Sequence, residues 1–323
     1  MARSASPRAV LATALALLPL PNGAPAAAQS RVWVSHAGSD SNPCTLSLPC
    51  AGFQKAHDVV AAGGEISVLD PGDYGAVSIV KSVSITNDGS GEAGILINLG
   101  LAIFIDAGHG DVVGLRGLVL DGKGTALGGI DAQAVGSLHI QNCVIRNFEG
   151  VGGPFGVLMS VTSGTGAIFL SDTLIYNNGA GAGSGGVFLR SNGGSINGVL
   201  DRVRLENNLV GLGVLSGFAT GGARVTVRDT TVVGNAGDGI LAGTNGTSSA
   251  LVFVERTTAV NNAGIGLHAD HAHAVILLGD STITNNATGV SATNGGQLLS
   301  YGDNRNSNNV GAEGTATAML GPF

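Results

Sequence analysis

The chain has 323 residues, 54 of them glycine and only 11% charged, with a formal net charge of −7. That balance is too apolar for a disordered chain and too glycine-rich for a helical one. Lysine occurs only at 55, 81 and 123 and no basic run exists, so nucleic acid and anionic membranes are poor partners and no nucleic acid is expected.

Residues 1–28 carry Arg3 and Arg8, an apolar run from Ala9 to Leu20, and Ala26-Ala27-Ala28 before Gln29. They read as a secretory signal peptide cleaved near Ala28, which predicts a secreted or periplasmic protein. Pro19 and Pro21 interrupt a run already short for a retained anchor, and no later stretch could span a membrane, so no insertion is expected once the leader is removed. Residues 29–62 read as an N-terminal cap. Arg31-Val32-Trp33-Val34 alternates like a first strand. In an exported chain, Cys44 and Cys50 around the loop NPCTLSLPC predict a local disulfide, whereas a metal or redox pair lacks the spacing and partners. Phe53, Ala56 and Val60 then fall at i, i+3 and i+7, predicting a short helix over 53–62, stopped by Gly63-Gly64 and covering an otherwise open sheet edge.

From Glu65 the apolar period becomes two, and from Gly117 one short phrase recurs: GLVLD, CVIRN, TLIYN, VRLEN, TTVVG, TTAVN, STITN and a worn NRNSN. The closing positions (Asp121, Asn147, Asn177, Asn207, Gly234, Asn261, Asn285 and Asn308) are 23 to 30 residues apart. A period of that size marks a solenoid. Val, Ile, Leu and Thr with Gly and Asn punctuation, and no helix-length amphipathic runs, make it a β-solenoid. The predicted fold is all-β: a right-handed, single-stranded parallel β-helix of about ten coils with a short N-terminal capping helix. Residues 63–310 would form the β-helix and residues 311–323 a C-terminal tail. Positions one, three and five of each phrase are expected to face inward, so that Asn147, Asn177, Asn207, Asn261 and Asn285 form a buried amide ladder.

Residues 42–85 resemble the opening of secreted bacterial right-handed β-helix proteins of the pectate-lyase-like superfamily. The resemblance rests on NPC…PC, Phe53-Gln54-x-Ala56, GGEISVLDPGDYG (63–75) and VSIVKSVSI (77–85). It implies the scaffold, which hosts lyases, hydrolases, epimerases and adhesins, and fixes no activity.

Enzymes of that superfamily that cleave acidic polysaccharides use clustered Asp with a His and a basic clamp, or acidic calcium ligands with an Arg or Lys base. Gly108-His109-Gly110 echoes one hydrolase element, but no Asp pair, R-I-K or R-x-P-x-x-R accompanies it. The residues preceding successive phrases, Asp172, Arg202, Asp229, Arg256 and Asp280, predict an alternating charge ladder along one edge, which leaves few acids for acid/base work. Cys143 belongs to an inward column and reads as an inert thiol. The one run that stands out is His268-Ala-Asp270-His271-Ala-His273, where other coils turn with Gly, Asn, Ser or Thr. His268, Asp270, His271 and His273 are therefore candidates for a divalent metal or for proton transfer; no other cofactor is expected. GNAGDGILA (234–242) occurs once and lacks the spacing of a calcium roll.

Three functions follow as expectations. The first is a non-catalytic secreted β-helix binding a polysaccharide or cell-envelope glycan along its flat faces. The second is a lyase or hydrolase acting on acidic polysaccharide. The third is an adhesin-like, self-assembling surface protein.

Overall fold

The computed structural model describes residues 1–2, 29–217 and 220–321. Apart from its first two residues, the expected leader lies outside them. The described chain is an all-β parallel solenoid. Short strands, from Gly72–Asp73 through Val144–Arg146 and Thr282–Thr284 to Arg305–Ser307, stack into a ten-stranded sheet. Longer strands make a 19-stranded sheet, and every pairing between named strands is parallel.

One coil shows how sequence builds the repeat. Ile265–Asp270 runs outward to a turn, Ala274–Gly279 returns, and Thr282–Thr284 closes the coil. Leu267, Ala269, Ala274, Ile276, Leu278 and Ile283 point inward and are buried. Each large apolar side chain so buried is worth about 1.5–3 kcal/mol, and a one-residue slip would turn the whole set outward. This alternation holds consecutive coils in register.

The short strands are bounded by corners in the left-handed conformation. Asn142, Asp172, Arg202, Asp229, Arg256 and Asp280 have positive φ before them, and Asn147, Asn177, Asn207, Asn261, Asn285 and Asn308 after them. That geometry relocates the predicted amide ladder. Asn147 and Asn177 are half-buried, and Asn207, Asn261 and Asn285 are exposed. A left-handed residue breaks the period of two, so the residue after it points inward. The buried ladder is Asn178, Asn208, Asn235, Asn262 and Asn286, each at most 1% exposed. Asn178 Nδ2 donates to Asn208 Oδ1 (3.0 Å), Asn235 Nδ2 to Asn262 Oδ1 (2.8 Å) and Asn262 Nδ2 to Asn286 Oδ1 (2.8 Å). The backbone N–H groups of Asn208, Asn235 and Asn262 donate to the amide oxygens one coil on. The other corner is filled likewise by buried Thr173, Thr230, Thr257 and Ser281, whose hydroxyls donate to the carbonyls two residues earlier.

The charge ladder is discontinuous. Arg202 grips Asp172 with two nitrogens (2.7 and 3.0 Å), and Arg256 grips Asp229 (2.8 and 3.0 Å). Each Arg also turns to the acid preceding it, Asp201 or Glu255. Asp280 pairs with no Arg among the described residues; its backbone N–H donates to Asp303.

At the N-terminal end the helix is Phe53–Val59, shorter than expected, because Val60 already takes extended ψ and opens the strand Val60–Val68. Gly63 and Gly64 therefore lie within a strand and stop nothing. Gln29–Val34 pairs with that strand and Ala318–Met319 pairs with Gln297–Ser300, so the stack extends past the expected limits at 63 and 310. Cys44 and Cys50 are disulfide-bonded. Cys143 is free and buried, and burial pushes its thiol up to about 11.

Candidate functional site

Strand register places outward side chains in columns on the first long strand of each coil. Asp131, Leu158, Phe188, Gly213, Leu241, His268 and Ser291 form one column. Ser160, Arg190, Leu215, Gly243, Asp270 and Thr293 form the next. A cleft of about 310 Å³ opens over the second column, between Arg190 and Asn192 at one end and Asp270 and His271 at the other. Leu215, Leu241 and Gly243 form its floor, and Thr244 and Asn245 line its side. Gly243 keeps the floor open: a Cβ there would lie 3.1 Å from Leu215 Cδ2. Arg190 and Asp270 are three coil steps apart, ~14 Å at the usual strand spacing.

Arg190 differs from the paired arginines of the corners. Its guanidinium lies 5.2 Å from the Phe188 ring and donates to Gly183 O at 2.9 Å. It makes no ion pair among the described residues. Burial lowers its pKa, opposed by the charge of Asp131; burial in turn raises the pKa of Asp131, against a hydrogen bond from Gln133. A half-desolvated guanidinium of this kind has the chemistry to receive an anion.

The far wall is a hydrogen-bonded relay. His268 Nδ1 lies 2.7 Å from Asp238 Oδ2, and His268 Nε2 lies 2.9 Å from Thr293 Oγ1. Thr293 gives its one proton to Asp270 (2.6 Å), which also accepts from Asn294 Nδ2 (2.8 Å). With Thr293 so committed, an imidazolium that donates from both ring nitrogens fits the network. The hydrogen bond to Asp238 raises the His268 pKa against burial. Burial works to raise the pKa of Asp270, but hydrogen bonds from Thr293 and Asn294 and the nearby imidazoles hold it low.

The His-rich run thus divides its tasks. His268 and Asp270 face outward from the strand, His271 Nδ1 pairs with Asp270 Oδ2 at 2.9 Å, and exposed His273 ends the turn. His271 and His273 both have positive φ. Among the described residues no group of three or more His, Cys, Asp or Glu could hold a metal ion, so the four candidates do not converge on one. His109 is exposed, with Nε2 3.1 Å from Ser163 Oγ. Arg190, Asn192 and Thr293 escaped the sequence reading, and Asp238 and Asn245 were not placed in this site, because their convergence depends on register between coils. The available signals were Arg190 as a lone cation in a largely uncharged column and Asp238 within the GDG of residues 237–239. No helix among the described residues is long and apolar enough to cross a membrane.

No family model matches the chain, and no curated protein matches it. Two solved structures are similar. A rhamnogalacturonan lyase is 17% identical, with a TM-score of 0.49, over 83% of this chain and 75% of that one. A GH136 lacto-N-biosidase from Eubacterium ramulus is 10% identical, with a TM-score of 0.47, over 90% of this chain and 67% of that one.

Proposed function

We propose that the protein is an exported, right-handed β-helix, closed at its N-terminal end by the helix Phe53–Val59, that binds an extended anionic glycan without cleaving it. The carrying observation is Arg190: a half-buried guanidinium that makes no ion pair among the described residues and feels only the more distant charge of Asp131, at one end of a cleft with an apolar floor that Asn192 and Asn245 also line. A carboxylate on the saccharide would supply the missing counter-charge, with sugar hydroxyls meeting the amides, Asp270 and His271.

The carboxylates favour binding over hydrolysis. Glycosidic cleavage needs a protonated and an ionised carboxyl about 5–9.5 Å apart. Hydrogen bonds and nearby imidazoles hold the Asp270 pKa low, and Asp238 is hydrogen-bonded to His268. The carboxyl with a raised pKa, Asp131, lies five coil steps from the His268–Asp270 strand, ~24 Å. A lyase reading draws on the lowered proton affinity of Arg190, and the same experiment tests it. Uronate oligosaccharides and their carboxyl-reduced counterparts are titrated calorimetrically into the wild type and Arg190→Ala, and each mixture is assayed for unsaturated products and new reducing ends. Binding of the uronate form, at least tenfold weaker in the variant, with no products, is expected. Equal affinity for the reduced form would remove the anion-receptor role, and new products would replace binding with catalysis.

A further inference from the structure

A second binding surface lies on the other long strand of the same coils. Phe169, Val199, Thr226 and Phe253 stand in one outward column, and Asn197, Arg224 and Leu251 in its neighbour. A trough of about 360 Å³ runs between them. Phe169 is 40% exposed. His139, one coil earlier, stacks on one face of that ring, with centroids 4.8 Å apart and 14° between planes. The opposite face therefore looks along the trough toward Val199. Phe253, three coil steps and ~14 Å away, is supported from its far side by Tyr301, edge-on at 6.4 Å. Arg224 is exposed and makes no ion pair among the described residues, and the Asn197 amide makes no side-chain hydrogen bond among them. By contrast Arg228, two residues along the same strand from Thr226, is paired with Asp201 at 3.2 Å.

The geometry points to a second saccharide site, in which pyranose rings lay their C–H faces against Phe169 and Phe253 while Asn197 and Arg224 take hydroxyl or carboxylate oxygens. Aromatic walls with a few free polar groups suit a ligand that is apolar on its faces and polar at its edges. A second copy of the chain suits the trough less well. A stable interface needs about 800 Å² per partner and would spread over flanking ion pairs that are already satisfied. A two-fold contact centred on the trough would also bring Arg224 toward its own copy. The site does not depend on the Arg190 cleft. If both operate, the molecule can hold two glycan segments on two faces.

The test titrates the full chain with cellohexaose, chitohexaose and a uronate hexasaccharide, using the wild type, Phe169→Ala, Phe253→Ala, Arg224→Ala and Arg190→Ala. At least one probe should bind the wild type and lose tenfold or more in both Phe variants while keeping its trough affinity in Arg190→Ala. Arg224→Ala removes no core packing, so it reports on the site even if a Phe variant misfolds, and it should weaken any probe that the trough holds. Binding that depends on Arg190 alone overturns the trough while leaving the cleft intact. Absence of binding by all probes overturns it too, as does a wild-type dimer that the Phe253→Ala variant dissociates.

Discussion

Asn235 is fully buried; its Nδ2 donates to Leu205 O and Asn262 Oδ1, while its Oδ1 accepts from the backbone N–H of Asn208. Truncation leaves the Asn208 N–H without its acceptor in a dry interior, at about 1–3 kcal/mol, and takes one of its two donors from Asn262 Oδ1, which still accepts from the Asn235 N–H. Asn235→Ala should therefore lose about 2–4 kcal/mol in urea unfolding. Asn207, one residue before the equivalent position of the preceding coil, is exposed at a corner with positive φ. Asn207→Gly should be close to neutral there and Asn207→Ala should cost about 1–2 kcal/mol. Equal losses at 207 and 235 would contradict the placement of the ladder. The sequence made the Asn repeat visible but not its facing, because strict alternation fails at a left-handed residue. Cys143 was legible from its column alone. It should resist a thiol reagent in the native state near neutral pH and react on unfolding; fast native labelling would contradict its burial.

Among elements, the relay joining the strands Ile265–Asp270 and Thr288–Thr293 to Asp238 carries a pH signature. The His268 pKa is raised by folding, so its stabilisation is complete below the unfolded value, about 6.5, and is lost as pH rises through the folded value. The Asp270 pKa is lowered, so its stabilisation is present above about 3.9 and is lost as pH falls through the folded value. The pair contributes most between those two unfolded values. The melting temperature of the wild type should fall on raising pH above that window, and His268→Gln should flatten the decline. An unchanged slope would sink the imidazolium assignment. The sequence drew attention to the run 268–273, within which Asp270 and His271 do pair, but not to the partners of His268. Its partners, Asp238 and Thr293, lie 30 and 25 residues from His268, a distance that only coil register closes.

For the whole molecule, the coil stack was legible because a period of about 27 residues, alternation within strands and corner asparagines all point to one architecture. The N-terminal helix was legible as apolar spacing, while its end was not, since Val60 leaves the helix for tertiary pairing. The cleft was illegible because it is made by what one coil lacks: Gly243 leaves a gap in a column and two loops supply the sides. That gap is also why a functional surface can form on a face otherwise built of regular side-chain rows, with one end cationic and the other held by carboxylates and imidazoles. The most direct measurement is a crystal structure of the protein with a bound uronate trisaccharide. A sugar carboxylate within hydrogen-bonding distance of the Arg190 guanidinium, with the chain crossing Gly243 toward Asp270 and His271, is the predicted result. A saccharide seated elsewhere, with Arg190 uncontacted, would contradict it.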